Sequence, residues 1–363
     1  MNSDQSNVIH GLDLSESFYL EIVQPILAQR LPQLKYTCAL IGAGSEVLGF
    51  DTEMSRDHDW GPRLLLFVKP DDLTSLGPEI KNVLHEELPQ EFRGLKTRYR
   101  LSKPGVDGLT EIRHRVDVFS IASFLKEYLD FDYAQKITTA DWLSFPEQKL
   151  RSITSGRIFR DEIGLQAMRH KFAYYPHDVW LYLLASGWNR IEQEEHLMGR
   201  AGIVGDEIGS SVIAARLVRD LMRLCFFMEK QYAPYAKWFG TAFSKLSCAD
   251  DLAPVLMQIL HGCTWQEREQ YFNVAYKYVA TMHNRLKLTE ALAEDVSRFH
   301  ERPFWTISMG VFSQAIAAQI KEPEIKKLVE KRLIGSIDQI SDNTDILGYA
   351  SRRSVFKDFY AID

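Results

Sequence analysis

A small mixed α/β domain over residues 1–120, followed by a mainly α-helical domain over 121–363, is the fold class this sequence predicts. Three observations carry it. Apolar runs with strand character, Thr37–Ile41 and Arg63–Val68, and the alternating stretch Glu111–Phe119 all fall before residue 120. The segments around them repeat their apolar residues at helical spacing. From about Ile121 onward alternation gives way to helical periodicity, as in the stripe Ile213, Leu217, Leu221, Leu224 and Met228.

Taken in order, Asp13 is expected to cap a first helix with Glu16 in the reciprocal position. Phe18, Ile22 and Ile26 recur along that helix, and Pro25 kinks it or ends its regular part. Thr37–Ile41 then reads as a buried strand leading into Gly42-Ala43-Gly44-Ser45. Proline cannot donate to a ladder, so after Trp60-Gly61-Pro62 the next strand starts at Arg63. Leu73–Leu88 is a helix ended by Pro89. Lys96–Leu101 and Glu111–Phe119 are two strands joined by the turn-rich stretch 102–108. Helix resumes over Leu125–Tyr133, and Ala140–Glu147 reads as a connecting loop. Gly199–Gly209 reads as a loop or hinge, Ser210–Lys230 as a long helix, and Leu288, Leu292, Val296 and Phe299 as the stripe of another. This order suits a small mixed sheet with helices packed on it.

The chain of 363 residues has room for two domains, and its 45% hydrophobic and 25% charged content is ordinary for a globular protein. The net charge of −6 argues against a bulk nucleic-acid binder and is compatible with a cationic small substrate, or simply with solubility. Cys38, Cys225, Cys248 and Cys263 show neither zinc spacing nor a disulfide framework, and read as buried thiols in a reducing compartment. Met1–Gly11 is polar and unlike a signal peptide, and no stretch is long and apolar enough to span a bilayer. The expected location is the cytoplasm, away from membranes.

The chemistry concentrates in Gly44–Asp59. The small residues Gly42, Ala43, Gly44 and Ser45 let a backbone turn approach a ligand closely. Asp57 and Asp59 follow; in extended backbone, residues two apart point to the same side. Such a pair repels unless a cation lies between, and oxygen-only ligation favours magnesium or manganese. Arg115-Val116-Asp117-Val118-Phe119 places a further carboxylate, Asp117, among alternating apolar residues. Gly-Ser, Asp-x-Asp and a later strand Asp, in this order, resemble the signature of the DNA polymerase beta-like nucleotidyltransferase superfamily. The resemblance covers the first third of the chain. It departs at His58, where the family usually has an apolar residue, and at the interruption Trp60-Gly61-Pro62. It implies that Gly44 and Ser45 bind the phosphates of a nucleoside triphosphate, commonly ATP. It also implies that Asp57, Asp59 and Asp117 hold magnesium or manganese and act in catalysis.

The two-domain layout looks like that of antibiotic (aminoglycoside) nucleotidyltransferases, whose helical domain closes over the nucleotide with lysine, aromatic and acidic groups. Lys237, in the aromatic segment Tyr232–Phe243, is the residue that would contact phosphate, with Tyr232, Tyr235 and Trp238 either stacking or packing the bundle. Arg216, Arg219 and Arg223 share a helix face that either meets an acidic group or is solvated, with Arg216 pairing Asp220. Ile191–His196 reads as a solvated acidic helix end or as a source of a general base; Asp51 and Glu53 could support the site from behind. The expected function is transfer of a nucleoside monophosphate to a hydroxyl of a small molecule, possible acceptors including an aminoglycoside-like one. Alternatives are the same chemistry on a protein or RNA, or a nucleotide-binding protein without catalysis.

Overall fold

Side chains that alternate along a strand must find two different environments, and here they do. In the computed structural model, which describes residues 9–57, 60–102, 110–307, 310–331 and 333–360, the chain divides into two compact units. One comprises residues 1–136 with 149–173, the other 137–148 with 174–363. The expected boundary at residue 120 differs from this division, because two later segments fold onto the first sheet.

The first unit opens with α1 (Gly11–Phe18), a π-helical turn (Tyr19–Val23) and α2 (Gln24–Arg30). Pro25 stands at the start of α2, where its missing N–H falls beside the widened turn, so the expected kink is this change of helical register. Asp13 is not the cap. That position is His10, without a side-chain cap bond, and Asp13 and Glu16 instead bind Arg157 at 2.8 and 2.5 Å.

The sheet is built from β1 (Tyr36–Leu40) and β2 (Leu64–Val68), which precedes α3 (Pro70–Glu87). Two small hairpins follow, β3 (Glu91–Phe92) with β4 (Leu95–Lys96), and β5 (Arg98–Ser102) with β6 (Thr110–His114). Then come β7 (Val116–Phe119) and α4 (Ile121–Leu129). The expected strand Glu111–Phe119 is thus two strands, broken at Arg115, whose N–H turns to Thr97 O at 3.2 Å. The expected loop Ala140–Glu147 mostly forms α5 (Thr139–Ser144), an element of the second unit, because Thr138 and Asp141 cap it reciprocally. After α6 (Glu147–Thr154), β8 (Arg157–Arg160) and α7 (Leu165–Lys171) complete the unit.

Sheet order is β7-β2-β1-β8, with β2 and β7 parallel and the other pairs antiparallel. One face of this small mixed sheet (Tyr36, Cys38, Leu64, Leu66, Val116, Val118) packs with Leu14, Phe18, Ile80 and Leu84 of the helices. On the other face Phe124 of α4 lies edge-on to Phe67, 5.4 Å between ring centres. That second face also carries Asp117, in register with Leu65.

The second unit is largely helical. Its central helix, α8 (His177–Glu194), is buried continuously from Asp178 to Trp188, as expected of a helix surrounded by others. Next come α9 (Leu197–Ile203) and α10 (Glu207–Met228). The loop expected over Gly199–Gly209 is therefore mostly helix. A Cβ at Gly202 would lie 2.2 Å from the Trp265 ring, so this glycine serves close packing rather than a hinge. Further on are α11 (Ala236–Phe243), α12 (Ala249–His261) and α13 (Trp265–Arg285). The helix expected through Leu288–Phe299 is absent: Lys287 has φ of 53°, and the Asn284 side chain bonds both the N–H and the carbonyl of Leu292. Instead β9 (Ser297–Arg298) pairs with β10 (Trp305–Thr306). Short helices α14 (Val311–Ala317), α15 (Pro323–Lys331), α16 (Ile337–Ile340), α17 (Thr344–Gly348) and α18 (Arg353–Phe359) follow. Cys38, Cys225 and Cys248 are buried as expected, whereas Cys263 is exposed. No helix among the described residues is long and apolar enough to cross a membrane.

Candidate active site

The turn after β1 is held from several sides. Gly42, with φ of 88°, donates its N–H to Ser152 O at 3.0 Å, and Phe50 N–H bonds Ser45 O at 2.9 Å. Gly44 has φ of 129°, and a Cβ there would fall 2.2 Å from Arg63 Nη2 and 2.6 Å from Glu46 Oε2. The space a side chain would take at Gly44 is therefore filled by an ion pair of the protein itself. Arg63 Nε donates to Glu46 Oε1 at 2.8 Å, and its Nη2 to the same oxygen at 2.6 Å and to Ala43 O at 2.5 Å. Glu46 is 2% exposed. A buried carboxylate needs such a partner, and the pair ties the Gly-Ser turn to the residue preceding β2. Ser45 is half-buried.

Asp117 stands on the open face of β7, exposed, while its neighbours Val116 and Val118 are buried in the core. With Arg63, Arg115, Tyr99, Leu40 and Leu65 it lines a small pocket of about 60 Å³. The protein around the carboxyl crowds out water and raises its pKa above the ordinary aspartate value, an effect opposed by nearby His114, Arg63, Arg113 and Lys81. Arg63 thus belongs to both features: it fastens the turn and faces Asp117. Glu111 lies on β6 opposite Leu101, a different strand from Asp117.

The segment between turn and strand contains a short 3-10 helix, Glu53–Asp57. The Asp57 side chain, and His58 and Asp59 entirely, lie outside the described residues. Among the described residues no group of three His, Cys, Asp or Glu side chains is arranged to hold a metal. Asp51, expected to back the site, accepts hydrogen bonds from Gly11 N–H (2.8 Å) and Trp60 Nε1 (3.3 Å). These bonds and His10 hold its pKa below the usual carboxylate value despite partial burial. The Trp60 carbonyl in turn accepts from Arg115 Nη1 at 2.8 Å. As expected, β2 begins only after the Trp60-Gly61-Pro62 interruption, at Leu64.

In the second unit, Lys237 is exposed on the first turn of α11, its Nζ 4.9 Å from the Trp238 ring centre. Tyr232 is 4% exposed and packs against Tyr174 and Tyr175, 5.1 Å from each ring, so it serves the core. The three arginines of α10 do not form one solvated face. Arg216 pairs with Glu194, not with Asp220, which instead meets Arg190; Arg219 pairs with Asp342; Arg223 is buried against Glu147. The acidic run is likewise engaged: Glu192 accepts from Ser313 Oγ, and buried Glu195 from Ile307 N–H at 2.7 Å. Its carboxylates hold elements of the unit together and are not a solvated helix end.

Sequence reasoning missed Arg63, Glu46 and Arg115. A clue was present: Arg63 was read as part of a buried apolar strand, where a guanidinium requires a partner, and Glu46 follows the Gly-Ser turn directly.

Compared with known proteins, residues 142–239 match a domain of unknown function (DUF4037). No curated protein matches the chain. Among solved structures, the chain is similar to a nucleotidyltransferase-like protein from Exiguobacterium sibiricum 255-15. The identity is 10% and the TM-score 0.27, over 86% of this chain and 91% of that one.

Proposed function

We propose that this protein is a metal-dependent nucleotidyltransferase that moves a nucleoside monophosphate, with ATP as donor, to a hydroxyl group of a small molecule. The observation that supports this reading best is that Asp117 shares a pocket with Arg63, the residue that binds the turn. The carboxylate stands exposed in a small pocket, and Arg63 beside it is bonded to the backbone of the Gly-Ser segment.

The residues suit a hard divalent cation. Asp117 offers oxygen where the surroundings disfavour an uncompensated negative charge, and Asp57 and Asp59 would supply the other oxygens. Magnesium or manganese, when bound, would supply positive charge against the negative charge developing on the phosphates. The chain's own groups do the rest. Backbone N–H groups at Gly44 and Ser45 bind phosphate oxygens, as successive N–H groups in a turn can, and the Ser45 hydroxyl adds a donor. Arg63 keeps that turn in register with β2. Asp117 is the group proposed to take the proton of the acceptor hydroxyl or to orient it. Lys237 is the cation proposed for the triphosphate on the second unit.

The test is incubation with labelled ATP, GTP, CTP and UTP, magnesium and a fractionated cell lysate. Label in a small-molecule fraction, with pyrophosphate released and both lost in Asp117→Asn, is expected. Label on protein or RNA would change the acceptor. No labelling and no metal-dependent nucleotide binding would refute the proposal.

A further inference from the structure

Resting on that reading, we infer that Tyr128, Ser152 and Gly156 are positioning residues. They form a seat that holds the Gly-Ser turn in shape and leaves its N–H groups for phosphate. The hydrogen bonds of the turn are one-sided. Its carbonyls are engaged: Ala43 O accepts from Arg63 Nη2 at 2.5 Å and Ser45 O from Phe50 N–H at 2.9 Å. Glu46 O accepts from Gly49 N–H at 3.1 Å, and Val47 O from Gly156 N–H at 2.9 Å. Among the described residues, the N–H groups of residues 43–48 are bonded to no acceptor. Successive N–H groups whose carbonyls are tied elsewhere attract an anion. Such a run also lacks the internal bonds that keep a helix or strand in shape, so its conformation has to be imposed by its surroundings.

The surroundings that impose it are α4 and the connection from α6 to β8. Ahead of the turn, Gly42 N–H donates to Ser152 O at 3.0 Å, and Ser152 is fully buried. Two stacked rings, Phe124 and Tyr128, lie under Gly42; their centres are 5.3 Å apart and their planes 9° from parallel. A Cβ at Gly42 would lie 3.7 Å from Phe124 and 3.8 Å from Tyr128. The Tyr128 hydroxyl meets the Ser152 side chain, and Lys149 Nζ donates to Tyr128 O at 2.7 Å. Both ends of this tyrosine are thus joined to α6. Behind the turn, Gly156 holds Val47. Gly156 has φ of 75°, and a Cβ there would fall 2.1 Å from Leu40 O, so the connection presses directly on the end of β1. One short stretch, Ser152 to Gly156, grips the turn on both sides.

A turn already held in shape need not be ordered when phosphate arrives; ordering it then would cost affinity. The three residues act through the turn, and none is assigned to the reacting atoms.

The experiment measures binding of ATP and of inorganic tripolyphosphate by calorimetry, with magnesium, on the full chain, together with thermal unfolding. Gly156→Ala drives a methyl group into Leu40 O at a left-handed φ. Gly164→Ala imposes similar backbone strain, φ there being 88°, but its Cβ meets nothing within 4 Å, so it is the control. Tyr128→Phe removes only a hydroxyl and decides the matter alone if Gly156→Ala does not fold. Gly156→Ala is expected to weaken both ligands by about tenfold or more, and Tyr128→Phe by about threefold. Gly164→Ala should bind like wild type while melting at a lower temperature. If Gly156→Ala and Tyr128→Phe bind like wild type while Ser45→Pro, which removes an N–H of the turn, does not, the seat is wrong and the proposed function stands. If wild type binds neither ligand, or Ser45→Pro also binds like wild type, both readings of the turn fall. Should affinity track the melting temperature across all variants, Gly164→Ala included, the residues are structural and the inference is overturned.

Discussion

Arg223→Met should destabilise the helical unit in proportion to the charge it strands. Arg223 Nη1 donates to Glu147 Oε1 at 2.6 Å, and Glu147 is fully buried. The other Glu147 oxygen accepts from Ala233 N–H at 2.9 Å, and its own N–H donates to Asp338 at 2.9 Å. Burial pushes both carboxyls up, Arg223 draws both down, and Asp338 adds to the rise of Glu147, which reaches about 7. Removing one partner of such a buried pair costs about 3–5 kcal/mol. Methionine retains much of the stem's packing, so the loss is mainly electrostatic. In a unit of roughly two hundred residues, at about 2–4 °C per kcal/mol, the melting temperature should fall by roughly 6–20 °C. Circular dichroism melts of the full chain measure this. Arg216→Met, which breaks a half-exposed pair with Glu194, should cost at most about 1 kcal/mol.

The pH dependence has a definite sign. Because the folded pKa of Glu147 lies above 4.5, its contribution is fully present below 4.5 and fades as pH rises towards about 7. Without Arg223 the carboxyl holds its proton still more tightly, so the deficit should widen from pH 5 to pH 8. Adding Glu147→Gln should restore part of the loss. A deficit under about 1 kcal/mol, or one independent of pH, would refute the reasoning.

Three further outcomes are expected. Asp117→Asn should lower nucleotidyl transfer by about a hundredfold or more without lowering the melting temperature, since the charge it removes is already disfavoured; retained activity would dismiss Asp117 from the site. Gly202→Ala should cost about 1–3 kcal/mol by overpacking against Trp265, whereas Gly240→Ala on α11, with open space around its Cβ, should be neutral or gain up to about 1 kcal/mol; chemical denaturation compares the two. Burial lowers the His283 pKa from 6.5 to about 4, so its contribution is present above 6.5 and lost as pH falls towards 4. An imidazole resonance with a midpoint near 6.5 would contradict this.

Much of the first unit was legible because its strands are short, apolar and bounded by turn residues. Thr37–Ile41 and Arg63–Val68 were located to within one residue of β1 and β2. β8 was not, since Arg157-Ile158-Phe159-Arg160 has too few apolar residues to show a period, and its place depends on pairing with β1 far away in sequence. Glycines misled in the opposite direction: around Gly202 they meant tight helix packing, which composition alone does not separate from a loop. At the candidate site, the turn and the place of Asp117 on a strand could be read from spacing. The Arg63–Glu46 and Asp51–Trp60 pairs could not, because a contact between side chains so far apart along the chain exists only once the backbone has folded.

The pairing of β1 with β8 also has a consequence for synthesis. As the chain leaves the ribosome, β1 can pair with β2 early, but its other edge has no partner until residue 160 has emerged. During that interval an apolar strand offers unpaired N–H and C=O groups, the feature that leads nascent chains to stick to one another. Fragments ending near residue 120 or 136 would keep that edge open permanently. Such fragments should need chaperones to stay dispersed, whereas those ending after residue 173 should not.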